Sequence, residues 1–371
     1  MDVNWRLLDL GPVDGFIMTS LYEAVARAVT EHDFPNTLIL NYPTEPFVNV
    51  GFHQVVEKEV DIGFSQQQKF PIVRRSIGGG TILDGPWEQD YFFIVGRRTC
   101  DCPADIKEFY RLFLSLIANV LRRLGVQAEY KPINDIVVRD RKISGNGAVS
   151  LGDTMVLAGD ILLDLPTELM TRVLRVPDEK FRDKLKKSLS EWMTSLKLEL
   201  KEVPTRDELK WHLVQEFERQ MGVTINEGQL SVQERQYLNE LSAERRRREW
   251  IFMKDLSHER LFQAVEARQI KVKEGVRICE SVYKAQKLIR VTMEIVNDRI
   301  GDISISGDFF TEPNIGIIER LEQSLIGVSL DREALQDKIL MSFNGGRLGV
   351  TGASVDDFIQ AILVAKNARL M

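Results

Sequence analysis

Three consecutive glycines, Gly78-Gly79-Gly80, restrict the local fold more than any other segment of this chain. Residues without a Cβ destabilise the interior of a helix or strand, so the triplet predicts a loop that leaves the short apolar run Ile72 to Arg74. Bare backbone also lets a ligand approach closely, and Arg74 and Arg75 can neutralise a carboxylate or phosphate. A tight loop that only needs positive φ is the alternative. The arginines and Thr81 favour an anion site.

The spacing of the glycines distinguishes this loop from two common phosphate-binding loops. No Gly-Lys-Ser/Thr follows, so it is not a Walker loop, and the glycines lack the spacing of the dinucleotide fingerprint.

From Leu7 to about Asp164, helical patterns alternate with short apolar runs, which predicts a mixed sheet flanked by helices. Apolar residues recur at helical spacing in 15–30 and 104–124, and Gly125 supplies a stop for the second helix. The predicted strands are Thr37 to Leu40, Ile72 to Arg74, Tyr91 to Val95, Ile136 to Val138 and Met155 to Leu163.

The C-terminal part has a different texture, in which strands come first and helices follow. Strands are predicted at Ile270 to Lys273, Val276 to Ser281, Leu288 to Val296 and Ile300 to Ser306, and helices at 314–326, 331–342 and after Ser354, which has Asp357 at capping-box spacing. We therefore predict a catalytic domain at 1–245, a linker at 246–261 and a small α+β domain at 262–371. The arginine block Arg245 to Arg248 at this boundary is expected to be a solvated helix face, or to contact an acidic partner.

Charge and composition exclude several classes of protein. A net charge of −6 and a pI near 5.5 argue against a general nucleic-acid binder and against an anionic membrane as partner. No apolar run approaches the roughly 20 residues that span a bilayer, and the N-terminus is not signal-like, so a cytoplasmic protein is expected. The three cysteines, Cys100, Cys102 and Cys279, are too few and scattered for a disulfide framework and are expected to be reduced.

A second segment supplies the charged and polar side chains that the glycine triplet lacks. Lys142 precedes the small and polar residues Ser144, Gly145 and Asn146, which leave room for a ligand beside the ammonium. A fixed positive charge suits adenylate chemistry, because attack of a carboxylate on an α-phosphate builds negative charge. A surface lysine in a hairpin turned by Arg139 to Arg141 is the alternative. Asn134-Asp135 can hold Mg²⁺ or orient a nucleotide, or form an ordinary turn.

Taken in order, these motifs resemble the lipoate-protein ligase family, within the biotin and lipoate ligase/transferase fold. The similar segments are Arg74 to Thr81, Asn134 to Val138, Arg141 to Gly145, and Gly159 followed by Ile161 to Asp164. Two later segments, Ile303 to Phe310 and Leu321 to Gly327, are similar to the accessory C-terminal domain of the ligases. The resemblance implies an α/β (α+β) fold, with a mixed-sheet catalytic domain and a small α+β accessory domain.

The resemblance also implies a two-step reaction. Lipoate and ATP, with Mg²⁺, give lipoyl-adenylate and pyrophosphate, and a lysine of a lipoyl-carrier protein then displaces AMP. Lys142 would contact the carboxyl and phosphate groups throughout. Arg74 and the glycines, with Thr81, would flank the acyl-phosphate end. Asn134 and Asp135 would lie on the nucleotide side, with Asp135 as a magnesium ligand, Ser144 to Asn146 at the acyl linkage and Gly159 in the strand that closes the acyl pocket. The carrier would be an acyltransferase subunit of a 2-oxoacid dehydrogenase, the glycine-cleavage carrier, or a specialised carrier such as that of sulfur oxidation.

Two positions depart from the family pattern. Asp84 stands where members often have a histidine after the glycine loop, and Ala158 where a histidine precedes Gly159. Adenylation needs no histidine base, because a carboxylate is already ionised at neutral pH.

Three alternatives remain. An octanoyl or lipoyl transferase is the first. A route through a cysteine thioester is disfavoured because no cysteine lies between Lys142 and Cys279, and a transferase that uses Lys142 alone with an acyl-carrier donor is disfavoured by the ligase-type C-terminal domain. A binder of lipoylated carriers without catalytic activity is the second. A biotin ligase is the third, weakened because the basic glycine-rich adenylate loop of that family is absent.

Overall fold

The computed structural model describes residues 5–99, 103, 105–176, 179–266, 276–312, 315–343 and 349–367. Within these residues the strands are β1 (Trp5–Val13), β2 (Asn36–Pro43), β3 (Phe47–Val50), β4 (Ile72–Arg74), β5 (Ile82–Asp84), β6 (Glu88–Gly96), β7 (Ala128–Lys131), β8 (Asp135–Val138), β9 (Arg141–Leu151), β10 (Thr154–Leu162), β11 (Ile225–Glu227), β12 (Val276–Lys284), β13 (Leu288–Val296), β14 (Arg299–Gly307), β15 (Phe310–Glu312) and β16 (Gly349–Thr351). The helices are α1 (Gly15–His32), α2 (Val56–Glu59), α3 (Ile62–Gln68), α4 (Ile106–Arg123), α5 (Thr167–Arg172), α6 (Glu179–Trp192), α7 (Leu196–Glu199), α8 (Arg206–Met221), α9 (Val232–Arg245), α10 (Arg248–Ile251), α11 (Met253–Ser257), α12 (Glu259–Glu266), α13 (Ile317–Leu325), α14 (Arg332–Ser342) and α15 (Val355–Asn367). None of these helices is long and apolar enough to cross a bilayer.

The chain forms two compact units that do not follow the predicted boundaries along the whole sequence. The first unit comprises Met1–Asn49, Val60–Arg75 and Ile82–Arg247, and the second comprises Val50–Glu59, Ser76–Thr81 and Arg248–Met371. The main division lies two residues beyond the predicted end of the catalytic domain. Two short segments of the N-terminal part, however, pack with the second unit, and tertiary contacts of this kind leave no mark on composition. Residues 246–261, predicted as a linker, contain α10 and α11.

The first unit is built on a mixed eight-stranded sheet with the order β11-β1-β2-β6-β10-β9-β8-β7. β1 pairs in parallel with β2 and β11, and the pairs from β2 to β7 along the sheet are antiparallel. A smaller sheet, β4-β3-β5, carries the strand that precedes the glycine triplet. The predicted mixed sheet is confirmed, and the predicted strand Ile72 to Arg74 coincides with β4.

Different helices cover the two faces of the large sheet. One face forms the main core of the unit with α4, whose apolar face includes the buried Phe113 stacked on Phe93 of β6 at a centroid distance of 4.4 Å. The helical spacing predicted for 104–124 is confirmed, and Gly125 ends the helix with φ of +92°. The opposite face packs against α1, where Tyr22 stacks on Phe92 at 5.5 Å.

The arginine block at the end of α9 is not uniformly solvated, and this corrects the first of the two sequence-based interpretations. The Arg245 side chain is 2% exposed and pairs with Glu23 of α1 at 2.9 Å. Arg246 pairs with Asp14 at 3.1 Å. The acidic partners of these two arginines therefore lie in the same chain.

The second unit contains the predicted small α+β domain. In the meander β12-β13-β14, Asn297 and Asp298, both at positive φ, form the turn between the strands predicted at Leu288 to Val296 and Ile300 to Ser306. Helices α13, α14 and α15 enclose an apolar core, and Ser354 and Asp357 form the predicted reciprocal cap of α15. The predicted strand Ile270 to Lys273 lies outside the described residues, as do Cys100 and Cys102, whereas Cys279 is a free, buried thiol.

Candidate active site

Lys142 lies at the start of β9, in the hairpin that β8 and β9 form within the large sheet. β8 and β9 are joined by Arg139 and Asp140, whose φ values of +49° and +66° form a tight hairpin turn. The register slips by one residue between the pairs Val137↔Lys142 and Ile136↔Ser144. Residues three apart on a regular strand face opposite sides, but this bulge brings the Lys142 side chain over Gly145.

The surroundings of the Lys142 ammonium are mainly acidic. Its Nζ lies 2.8 Å from Oδ1 of Asp135, and its side chain is 35% exposed. A Cβ added at Gly145 would lie 3.3 Å from Lys142 Cε and 3.4 Å from Asp160 Oδ1. The Gly145 N–H also donates to Asp160 Oδ1. Gly145 therefore makes room for both the ammonium and the carboxylate, and the ion pair with Asp135 orients the Lys142 side chain.

The segment after α6 fixes the backbone of Lys142 through a hydrogen bond. The Thr194 N–H donates to the Lys142 carbonyl at 2.8 Å. Glu199, 5% exposed, accepts from Arg139 at 2.6 Å and from Arg141 at 2.5 Å. Arg139 in the turn and Arg141 after it thus bind one buried carboxylate, which restricts movement of the hairpin.

A buried hydrogen-bond network supports the hairpin from the α4 face. The Tyr91 hydroxyl donates to Asn146 Oδ1 at 2.5 Å and lies 3.0 Å from Ser144 Oγ. Asn146 and Asn134 exchange hydrogen bonds, each donating from its side-chain amide to the other's carbonyl. Gly159 lies against this network, because a Cβ there would fall 2.0 Å from Asn146 Oδ1. Ser144, Asn146, Asn134 and Gly159 therefore position the strands that carry Lys142 and Asp135.

Two carboxylates without a predicted site role, Asp160 of β10 and Asp84 of β5, interact electrostatically with each other, and Asp160 also interacts with Lys142. Burial raises the pKa of Asp160 to about 6, against the opposing effects of the Gly145 N–H and the Lys142 ammonium. Burial raises the pKa of Asp84 to about 7, against its hydrogen bond from Asn49, and Asp160 raises it further. Carboxyl groups that titrate near neutral pH can accept or release a proton there. Asp84, one of the two departures from the family pattern, is thus a buried titratable group.

Arg74 and Arg75 have different environments in the first unit. Arg74 is completely buried. Arg75 donates to the Asn49 carbonyl at 3.0 Å, and Asn49 in turn donates to Asp84 at 2.7 Å. Burial lowers the pKa of Arg75, and Asp84 opposes this effect. Asn49 thus connects Arg75 to the Asp84 carboxylate by two hydrogen bonds.

The glycine loop, Ser76–Thr81, belongs to the second unit. Gly79 has φ of +95°, which favours glycine. At Gly78 a Cβ would lie 2.6 Å from the Phe309 carbonyl oxygen, so this glycine permits close approach of protein backbone. Thr81 Oγ1 donates to Gln54 Oε1 at 2.7 Å. At Gly80 a Cβ would have only an ordinary van der Waals distance of 3.9 Å to Asp308, so this glycine has more space than Gly78.

The structure thus sorts the predicted site residues into two groups. Around Lys142, the first unit brings together Asn134, Asp135, Ser144, Gly145, Asn146 and Gly159, and it also contains Arg74; the second unit contains Gly78, Gly79, Gly80 and Thr81. The sequence analysis missed Tyr91, Asp160 and Glu199. Asp160 directly follows Gly159, so the motif around Gly159 could have indicated it. Tyr91 lies in an apolar strand pattern and Glu199 in a charged helical segment, and neither pattern indicates a site residue.

Among the described residues, no group of three or more His, Cys, Asp and Glu side chains is arranged to hold a metal ion. Asp135, the predicted magnesium ligand, is paired with Lys142 and can offer only its remaining oxygen lone pairs.

The model of the lipoyl protein ligase A/B catalytic domain matches residues 14–218, which is more than half of the chain. The chain belongs to the lipoyl protein ligase A/B catalytic-domain family. The model of the bacterial lipoate protein ligase C-terminus matches residues 288–362, in the second unit. The family that the motifs indicated is therefore confirmed, together with its accessory domain.

A sequence relative and two solved structures illustrate the similarity. An octanoyltransferase LipM of Kyrpidia tusciae is 28% identical over 68% of this chain and 99% of the relative. A bipartite lipoate protein ligase of Thermoplasma acidophilum, described with its E2 lipoyl domain, has a TM-score of 0.62 at 24% identity over 67% of this chain and 96% of its own. LipL1 of P. falciparum in complex with lipoate has a TM-score of 0.68 at 15% identity over 97% of this chain and 100% of its own. At these identities the two structures show the fold.

The chain therefore belongs to an enzyme family whose members are ligases or transferases of lipoyl and octanoyl groups. Both octanoyltransferases and lipoate-protein ligases occur among its named relatives. The names of the LipM relatives support the octanoyltransferase alternative better than the ATP-dependent ligase.

Proposed function

We propose that this chain transfers an octanoyl or lipoyl group to a lysine of a lipoyl-carrier protein, with Lys142 as the cation at the reacting carbonyl. The carrying observation is the position of Lys142, which the β9 bulge, Asp135 and the Gly145–Asp160 contact hold on one side of the sheet. A preorganised cation stabilises the negative charge that develops on an acyl oxygen without reorganising in the transition state. The E2 lipoyl domain described with the Thermoplasma ligase supports a carrier of this class.

We further propose that ATP activates the acyl group. In this route a carboxylate oxygen attacks the α-phosphorus of ATP and pyrophosphate leaves. The carrier amine then attacks the acyl carbon, and the bond to AMP breaks. The Lys142 charge serves both steps, and neither requires a thiol. Magnesium arriving with ATP would take most of its ligands from phosphate oxygens and water, with at most one from Asp135.

The C-terminal region supports the ATP route. The LipM relative is matched over 99% of its own length but only 68% of this chain, and the second unit contains the match to the lipoate protein ligase C-terminus.

Transfer from an octanoyl thioester of an acyl-carrier protein is the second candidate, and the names of the relatives favour it. A covalent cysteine intermediate is the usual requirement of such a route. The chain has no cysteine between Cys102 and Cys279. This candidate would therefore rely on direct attack of the carrier lysine on the donor thioester.

One experiment separates the two routes. A lipoyl domain is incubated with the full-length protein and either lipoate or octanoate plus ATP and Mg²⁺, or octanoyl-acyl-carrier protein without ATP, and its mass is measured. We expect acylation in the first mixture. Acylation only in the second would establish the transferase, and acylation in neither, with no acid-dependent ATP–pyrophosphate exchange, would leave a binder without this activity.

The role of Lys142 is tested in the same assay. Lys142→Ala should lower the rate of acylation about 100-fold or more, because a removed charge-stabilising donor typically costs this much. The matched control is Lys131→Ala, which removes an exposed lysine of β7 that pairs with Asp140 at 2.9 Å. Undiminished acylation by Lys142→Ala would show that the cation lies elsewhere.

A further inference from the structure

A row of polar side chains crosses the α1-facing side of the large sheet. Asn41 of β2 pairs with Asp90 of β6, and Asp90 pairs with Asp160 of β10. Residues directly opposite each other on neighbouring antiparallel strands carry their side chains on the same face. We call Asn41, Asp90 and Asp160 the polar row. It ends at the Gly145 N–H, where Asp160 lies beside Lys142.

Two members of the polar row, Asn41 and Asp90, are buried and have unpaired side-chain atoms, whereas Asp160 accepts from the Gly145 N–H. Asn41 is completely buried, and neither Nδ2 nor Oδ1 has a hydrogen-bond partner among the described residues. Asp90 is 4% exposed, and its Oδ2 is likewise unpaired there. Each unsatisfied buried polar group costs about 1–3 kcal/mol, so adjacent ones on paired strands indicate a ligand that completes them.

The charge around the polar row defines the chemistry of that ligand. Burial raises the pKa of Asp90 well above its usual range, and the neighbouring carboxylates of Asp84 and Asp160 raise it further. Arg206 opposes this effect. The same region contains the buried Glu88, whose pKa is also raised by burial and by these neighbours. An acid-rich interior of this kind favours a cation that donates hydrogen bonds, and the described residues offer no arrangement for a metal ion.

An apolar acyl chain would not satisfy the polar row. A methylene chain laid against Asn41 and Asp90 would exclude water from their free atoms and donate no hydrogen bond. A primary ammonium has three donors and a positive charge, which match the free oxygens of both side chains. With neighbouring strands about 4.8 Å apart, Asp160 lies about 5 Å and Asp90 about 10 Å across the sheet from Gly145.

We propose that the polar row binds a primary ammonium group. This rests on the proposed function, in which the acyl carbonyl lies at Lys142. Two molecules could supply the ammonium. An acyl acid with an amine at the far end of its chain would place it near Asp90 and Asn41, whereas the target lysine of the carrier would place it near Asp160.

Binding to the full-length protein without ATP tests the proposal independently of the transfer reaction. Calorimetric titrations compare 8-aminooctanoate with octanoate, and N-acetyl-lysine amide with N-acetyl-norleucine amide. We expect at least tenfold tighter binding of the amine-bearing member of one pair. A preference in the first pair assigns the ammonium to the acyl group, and one in the second assigns it to the carrier. No preference in either pair would overturn the proposal.

Two variants connect the preference to the polar row. Asp90→Asn removes the charge with little change of shape, and Asn41→Leu removes both unpaired amide atoms; each should reduce an acyl-chain preference to within about twofold. If the ammonium belongs to the carrier, Asp160→Asn should have this effect instead. Asp153→Asn, at an exposed ion pair with Arg98, is the control and should leave the preference unchanged. A preference that survives all three substitutions would contradict the assignment.

The outcomes also separate this inference from the proposed function. Acylation of a carrier with octanoate, without any amine preference, would overturn the ammonium site and leave the proposed function standing. An amine preference without acyl transfer would support the site and contradict the proposed function.

Discussion

Replacing Asp84 with asparagine should stabilise the first unit at neutral pH. Burial raises the pKa of this carboxyl from 3.8 to about 7 in the folded protein. At a pH between these two pKa values, the Asp84 carboxyl is ionised in the unfolded chain but keeps its proton in the folded chain, so folding requires proton uptake. The free energy of unfolding therefore falls as the pH rises from about 4 to about 7, and the loss is complete above that range. Asparagine cannot ionise and avoids the loss.

The magnitude follows from the size of the shift. One pKa unit corresponds to about 1.4 kcal/mol, so a shift of about three units sets a ceiling of about 4 kcal/mol. That shift already includes the attraction between Asp84 and Arg75. The asparagine amide places new N–H donors in this buried site, and leaving one unpaired lowers the expected net gain to about 2 kcal/mol at pH 8. The hydrogen bond from Asn49, 2.7 Å long, can persist because the asparagine oxygen accepts it. For a unit of this size, 2 kcal/mol is a rise of about 4–8 °C in Tm.

Thermal unfolding of the full chain, followed by circular dichroism at pH 4.5 and pH 8, measures this effect. The difference in Tm between variant and wild type should be small at pH 4.5 and large at pH 8. Asp153→Asn, at an exposed position, is the control and should change stability by less than about 0.5 kcal/mol at both pH values. A variant that is less stable than wild type at pH 8, or equally stabilised at both, would refute burial as the cause.

Two glycines near Lys142 should respond differently to alanine. Gly159→Ala should lower the free energy of unfolding by about 2 kcal/mol or more, measured in urea, because the new Cβ would lie 2.0 Å from Asn146 Oδ1; a neutral effect would show that the strands shift freely. Gly145→Ala should retain stability but reduce carrier acylation about tenfold, since its Cβ would lie 3.3 Å from Lys142 Cε and 3.5 Å from Nζ; full activity would argue against a fixed ammonium. Gly63→Ala, whose Cβ would have only a 3.6 Å contact, is the control for both and should affect neither measurement.

Elements with strong local signals could be predicted closely from the sequence. The apolar spacing of 104–124 predicted α4 to within two residues at its start and one at its end, and Ser354 with Asp357 predicted the cap of α15. These features depend on residues within one or two turns of each other. The ordered motifs around Lys142 likewise indicated the family that residues 14–218 confirm.

The strand that carries Lys142 was less accessible to prediction. The sequence analysis treated Ser144 to Asn146 as a small polar segment beside a hairpin, whereas these residues continue β9 as far as Leu151. Glycine, serine and asparagine disfavour a strand when judged by propensity alone. The pairing of β9 with β10 and the buried hydrogen bonds of Tyr91 outweigh that preference.

The sequence by itself determined the family, helices α1, α4 and α13 to α15, and the presence of a lysine among small polar residues, because each depends on residues that are near one another in the chain. Only the tertiary structure decided that the glycine loop packs with the second unit, and that Asn41, Asp90 and Asp160 lie in one row. Strand pairing brings these three residues together across long stretches of chain. The pKa of a carboxyl likewise depends on its burial and on neighbouring charges, which are set when the sheet and its covering helices have packed.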